Sequence, residues 1–210
     1  MYAVANVLKY RETEHGTDLV IRLPNKLKDC IEDKHIRVIE CRFDDGRHIS
    51  AEQRKKCYAL FNDISEYTGD VPEAVKEYLK VLHISNTGCE YFSLSNCSMD
   101  RAREFINTII EFVLENGIQL TDLCINRTDD IGKYLWYCLK HKKCAVCGKE
   151  GEIHHVDTIG MGNDRTKVDD SNYRKLCLCR EHHTIAHSRG MEAFEKMYKV
   201  YGIIFKEDVV

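Results

Sequence analysis

Apolar residues recur along this chain at two different spacings, and the spacing changes near residue 44. Before it they come in short runs or alternate. Tyr2–Tyr10 and Thr17–Leu23 flank a polar turn at Glu14–Gly16, and His35–Phe43 alternates through Ile36, Val38, Cys41 and Phe43. These patterns predict strands, whose side chains point to opposite faces in turn. Pro24–Glu32, between them, predicts one or two helical turns, and Asp44-Asp45-Gly46 predicts a sharp turn.

After residue 50 the apolar steps become three and four. Cys57, Leu60, Phe61 and Ile64 predict a helix over Ser50–Thr68, with Ser50 and Gln53 spaced as a capping box. Its Gln53, Arg54, Lys55 and Lys56 form a polar start, either a solvated face or a phosphate contact. Val71-Pro72 predicts a second helix to about Val81, with Pro in the first turn. Residues 84–98 predict strand or loop. Ala102, Phe105, Ile106, Ile109 and Val113 predict a third helix, from Met99 to about Asn116, stopped at Gly117. Gly117–Thr128 reads as a connector. A fourth helix is expected over Asp129–Lys140, with Ile131, Leu135, Trp136 and Leu139 on one side.

Composition changes this picture in one respect. At 210 residues, 43% hydrophobic and 31% charged, the chain has the make-up of a globular protein with one large or two small domains. No apolar run reaches the roughly 20 residues of a membrane helix, and Met1–Gly16 shows neither the basic start nor the long apolar stretch expected of a secretory leader. The expected location is the cytoplasm, with no membrane partner. In a reducing compartment the 11 cysteines are not a disulfide framework. Seven of them (Cys30, Cys41, Cys57, Cys89, Cys97, Cys124 and Cys138) sit singly among apolar residues and read as small buried hydrophobes.

Net charge is −3, so bulk charge does not point to a polyanion. From Cys138 onward there are 13 Lys+Arg against 11 Asp+Glu, leaving 18 against 23 before it. The C-terminal part is therefore the more cationic, and a bound metal would add to that.

The other four cysteines share Cys144–His187 with five of the ten histidines. Cys144-x2-Cys147 followed by Gly148 is the start of a zinc knuckle, with two thiolates aimed at one ion. Zinc takes four ligands, and Cys179-x2-His182 repeats the spacing after an insertion. Cys177 is the alternative third ligand, but Cys179 matches the first pair better. Within the insertion, Glu152–Thr158 alternates like a strand, which sends His154 and His155 to opposite sides. His183 and His187 lie four apart and share a face on a helix. With His154 they make a three-histidine site open to water and phosphate. Asp157 is placed to hold a ligating imidazole, and Gly160–Lys167 offers Arg165 and Lys167 to a phosphate. A final amphipathic helix is expected over Met191–Tyr201, through Phe194, Met197, Tyr198 and Tyr201.

Two family resemblances rest on these residues. Ile49–Gly69, Pro72–Lys80 and Phe92–Leu120 resemble the phage NinB-type recombination accessory proteins. That resemblance implies a β-plus-helix fold that binds single-stranded DNA, often as a homodimer, with Gln53, Arg54, Lys55 and Lys76 at the matching polar positions. The pattern C-x2-C, H-H-V, Asn, C-R-E-H-H-x3-H, over roughly residues 138–205, resembles the HNH endonucleases of the ββα-metal fold, and more narrowly the phage-encoded members ending LCREHH…H. This implies that His154 binds the catalytic metal and that His155 is the general base. The central Asn, which orients the base, maps to Asn172, with Asn163 the poorer candidate.

The expected protein is of the α+β class. A NinB-like DNA-binding domain (1–125) precedes a zinc-stabilised HNH nuclease domain (126–210). Cys144, Cys147, Cys179 and His182 would hold structural Zn²⁺. His154, His183 and His187 would hold a catalytic Mg²⁺, Mn²⁺ or Zn²⁺. Arg54, Lys55, Arg165 and Lys167 would contact DNA, single-stranded or branched, in phage recombination or replication. The competing function is a non-catalytic, zinc-stabilised mediator that binds single strands. It leaves His154, His155, His183 and His187 without a role, because a structural zinc needs none of them.

Overall fold

The computed structural model describes residues 5–39, 41, 46–157 and 171–206. The chain opens with an antiparallel hairpin of β1 (Asn6–Thr13) and β2 (Gly16–Arg22), bulged between Val7 and Lys9. Arg11 pairs with Asp18 across it at 2.8 Å. The two strands overlap the expected runs around the Glu14–Gly16 turn, with β1 extending three residues beyond Tyr10. Yet the hairpin packs on no buried core: Val7, Leu8, Tyr10, Leu19 and Val20 are all exposed. A short helix, α1 (Lys28–Asp33), follows. The strand expected at His35–Phe43 does not form over its described residues, 35–39 and 41.

Four helices then build most of the core. Ser50 caps α2 (Ala51–Thr68) with the full capping box: its hydroxyl accepts from the Gln53 N–H, and the Gln53 side chain accepts from the Ser50 N–H. Gly69, at φ 82°, ends α2. Pro72 opens α3 (Pro72–Thr87), which runs six residues past the expected Val81, to Gly88 in the left-handed region. α4 (Met99–Glu115) buries Ala102, Phe105, Ile106, Ile109, Ile110 and Val113. The connector contains one turn, α5 (Cys124–Arg127), before α6 (Ile131–Lys140). Phe61 and Phe92 pack on Phe105, their ring centroids 6.1 and 5.2 Å away. Each such ring contributes roughly 1.5–3 kcal/mol by its burial.

The polar start of α2 is partly tied down within the fold. Gln53 is 3% exposed and donates to Asp129 Oδ2 at 2.7 Å and to Met99 O at 3.0 Å. Lys56 donates to Thr128 O at 2.8 Å. Arg54 donates to the carbonyls of Leu94 and Ser95. Lys55 is exposed. The bonds to Thr128 and Asp129 lash α2 to the segment that leads into α6, and those of Arg54 tie it to the loop at residues 94–95.

The C-terminal part is a ββα unit against α6. β3 (Glu152–His155) pairs antiparallel with β4 (Arg174–Leu178), setting His154 opposite Leu176 and His155 opposite Lys175. α7 (Arg180–Arg189) follows, then α8 (Met191–Tyr198) and β5 (Ile203–Ile204), which joins the free edge of β4. Among the described residues the fold is thus mixed α/β, with eight helices and two small sheets. One hydrophobic cluster runs from Ile49 to Val200, and α6 is its middle: Leu135 and Cys138 are fully buried in it. The buried Tyr134 hydroxyl reaches forward from α6 to Ala145 O at 2.9 Å. Of the seven single cysteines, Cys57, Cys89, Cys97, Cys124 and Cys138 are buried as expected. Cys30 is only half-buried, and Cys41 is exposed.

Candidate metal centres

The knuckle begins where α6 ends. Cys144 N–H donates to Lys149 O and Gly148 N–H to Cys144 O, a tight turn that puts Gly148 at φ 70°. There a side chain would be strained. Ala145 N–H bonds Cys177 O and fastens the turn to β4. Cys179 is the N-cap residue of α7, so its thiol and the His182 imidazole, one turn on, face back toward the knuckle. The result is a cluster of Cys144, Cys147, Cys179 and His182, with ligand atoms all within 4.8 Å of one another. Cys147 Sγ and Cys179 Sγ are 3.7 Å apart, and His182 Nδ1 is 3.1 Å from Cys179 Sγ and 3.6 Å from Cys144 Sγ. A tetrahedron with bonds of about 2.3 Å has edges near 3.8 Å, so these donors fit zinc in type, number and spacing.

Its electrostatics point the same way. Burial pushes the Cys144 thiol up to about 12, so a thiolate there needs a cation. Burial opposes ionisation at Cys179 too. There the N–H groups of His182 and Glu181 at the start of α7, with the Cys147 and Cys144 thiols, bring the thiol below its ordinary value. Burial lowers His182 and keeps it neutral, as a ligand must be. Phe194, fully buried, and Tyr198, its ring perpendicular to His182 at 5.2 Å, close the cluster off. Cys177 is not in it. Its side chain is buried in β4 against Gly151, where an added Cβ would meet Cys177 Sγ and the Leu178 carbonyl at 2.9 Å.

The second cluster lies on the other side of α7. His154, on β3, meets His183 and His187, one turn apart on α7, with ligand atoms again within 4.8 Å. Their ring centroids are 4.7–5.0 Å apart, and Nε2 of His183 and Nε2 of His187 are 3.3 Å apart. Burial, helped by charge on His183, His187 and His155, brings His154 down to about 4. Burial and His187 lower His183 as well. Imidazoles converging on one point, with one side open, suit a divalent ion that keeps free positions.

These residues border a cavity of about 430 Å³, and His155 and Asp157 border it too. Strand alternation therefore does not turn His155 away from the site. It sits half-buried at the rim, while His154, 5% exposed, lies inside. Asp157 does not take the expected place on an imidazole. Its carboxylate accepts from Arg174 three times, from the backbone N–H at 2.7 Å and from Nε and Nη2 at 3.0 and 2.7 Å. That guanidinium holds the Asp157 carboxyl below the usual range. The clamp joins the exit of β3 to the entry of β4.

Asn172 is exposed in the turn before β4, and it is not among the described residues that border the cavity. Asn163, Arg165 and Lys167 lie outside the described residues. Two residues escape a reading of the sequence. Met191 borders the cavity with Sδ 3.2 Å from His154 Nε2, and only its place after Gly190, where α7 ends, marks it. Arg174 carries no sequence signal, because its partner is set by the register of β3 on β4.

No curated protein and no solved structure matches this chain. A family model described as "Putative HNHc nuclease" matches residues 20–209. A family match over nearly the whole chain agrees with a ββα unit carrying one Cys/His cluster and one His cluster, and the chain belongs to that HNHc nuclease family.

Proposed function

We propose that this protein is a metal-dependent endonuclease that hydrolyses phosphodiester bonds of DNA, and that the three-histidine cavity is its active site. The observation that carries this reading is the convergence of His154, His183 and His187, with His155 at the rim of the same cavity. A divalent ion held there by His154, His183 and His187 would supply positive charge against the negative charge that develops on the phosphate and the leaving 3′-oxygen. His155, as a neutral imidazole, takes the proton of a water beside the scissile phosphate. The HNH resemblance gives Asn172 the role of orienting that imidazole. His154 stays neutral because burial disfavours its cation, so it is a metal ligand and not the base. Cys144, Cys147, Cys179 and His182 would hold a structural zinc that fixes the start of α7, and with it His183 and His187.

In this reading residues 126–210 are the nuclease module and residues 1–125 bind DNA, single-stranded or branched. Arg54, Lys55, Arg165 and Lys167 are its phosphate contacts. The NinB-type resemblance supports a homodimer acting in phage recombination or replication, in the cytoplasm of the bacterial host. Incubation with plasmid or single-stranded DNA and Mg²⁺ or Mn²⁺ tests the activity. Wild type is expected to nick and His155→Ala is not; equal behaviour of the two across metals would overturn the reading.

A further inference from the structure

Away from both clusters, α2, α3 and the loop at residues 93–95 enclose a second cavity, of about 240 Å³. Three of its lining side chains are cations. Lys80 is only 5% exposed; its ammonium donates to Glu77 Oε1 at 3.2 Å and to Tyr91 Oη at 3.1 Å, and lies 4.7 Å from the Tyr91 ring centroid. Arg54 spends one Nε and one Nη2 hydrogen on the carbonyls of Leu94 and Ser95, at 2.9 and 3.1 Å. Its guanidinium is thereby fixed in plane, with N–H groups left over. Lys76 Nζ is 4.0 Å from Glu77.

Glu77 is the one carboxylate ion-paired with these cations among the described residues, and it is shared by both lysines. Three positive charges therefore face one negative. On a solvated helix face each lysine would reach into water. Here one is buried and the arginine is pinned, and a buried cation is costly without full compensation. The wall also offers the hydroxyls of Ser93 and Ser95, 2.9 Å apart and exposed.

We infer that this cavity binds a phosphate group of a nucleic-acid strand, as a contact separate from the cleavage centre. A phosphate supplies the missing negative charge and several acceptor oxygens, and the planar fork of Arg54 matches two of them. Tyr58, 43% exposed at the edge, offers a ring on which a base can stack. The inference rests on the nucleic-acid reading above and deepens it by placing one phosphate in a defined cavity, where Arg54 and Lys76 are joined by Lys80 and the serine hydroxyls. The phosphate is either an internal diester or a terminal monoester, and both have the chemistry this wall needs.

Fluorescence anisotropy on the whole zinc-loaded protein, without added Mg²⁺ or Mn²⁺, tests this with 3′-labelled single strands bearing a 5′-phosphate or a 5′-hydroxyl. Lys76→Gln is the main variant, because Lys76 is outside the buried core, and Arg54→Gln is the second. Lys76→Gln is expected to weaken binding on the order of tenfold, with a salt dependence flatter by about 0.7 in log–log slope. If the loss falls on the 5′-phosphorylated strand alone, the pocket takes a terminal phosphate; if it falls equally on both strands, it takes the backbone. If both variants bind both strands as wild type does, with the same slope, the inference is overturned. Nicking by wild type is scored separately, so that loss of the cleavage reading and loss of this one are told apart.

Discussion

The two clusters share a helix and have opposite surroundings. Cys144, Cys179 and His182 are nearly or fully buried and sealed by Phe194 and Tyr198, while His183 is half-buried and His187 exposed at an open cavity. His182 and His183 are consecutive on α7, so their side chains leave the helix about 100° apart. One turns inward to thiolates and the other outward to imidazoles. A closed site of soft ligands suits an ion that holds structure, and an open site of neutral nitrogens suits an ion that meets substrate. The difference shows how one short segment can anchor a fold and present a reactive centre.

The largest expected effect comes from breaking the closed cluster. Structural zinc sites carry roughly 10–16 kcal/mol of apparent binding free energy that is also folding free energy. Cys144→Ala is expected to lose zinc and the cooperative thermal transition of the C-terminal part, measured by metal content and calorimetry. A full-strength transition in a zinc-depleted variant would count against a structural role.

Next comes the open cluster. His155→Ala is expected to lower nicking by roughly 10²–10⁴-fold, as loss of a general base does. Its melting transition should stay within about 1 kcal/mol of wild type, because no structural contact of the closed cluster is touched. A variant that is both inactive and unfolded would erase the contrast between the clusters.

A smaller effect sharpens the contrast through pH. His154 sits at about 4 in the fold against an ordinary 6.5. Between those values the unfolded chain binds more protons, so the open site's contribution is whole above about pH 6.5 and is lost as pH falls toward 4. Urea titrations of protein free of metal at the open site should show this decline, and His154→Gln should flatten it. The smallest expected effect is Gly151→Ala, whose new methyl meets the Leu178 backbone at 2.9 Å. It should cost about 1–3 kcal/mol through overpacking behind the closed cluster, with nicking per folded molecule unchanged.

Much of this was legible in residue spacing. Ser50 and Gln53 place the start of α2, and the twin x2 spacings, with His183 and His187 four apart, sort most ligands into two groups. Spacing carries such information because helix and knuckle geometry are local. Burial and partnership are not. The hairpin's apolar runs mark strands but not burial, and Tyr10 and Leu19 are exposed. His35–Phe43 alternates without finding a strand to pair with over its described residues. Asp157 finds Arg174 only through the register of β3 on β4, and Met191 reaches His154 only because Gly190 turns the chain. The expected end of α3 at Val81 falls short, because no Gly or Pro stands between it and Gly88 to stop the helix.

The central claim is that His182 and His183, adjacent in sequence, serve different metal ions. Cobalt(II) substituted for zinc gives a thiolate-to-metal charge-transfer band at the cysteine-bearing site alone, so His182→Ala and His183→Ala can be compared by absorption spectroscopy. The expected result is a weakened or shifted band in His182→Ala and a band identical to wild type in His183→Ala; equal loss in both variants would contradict the division.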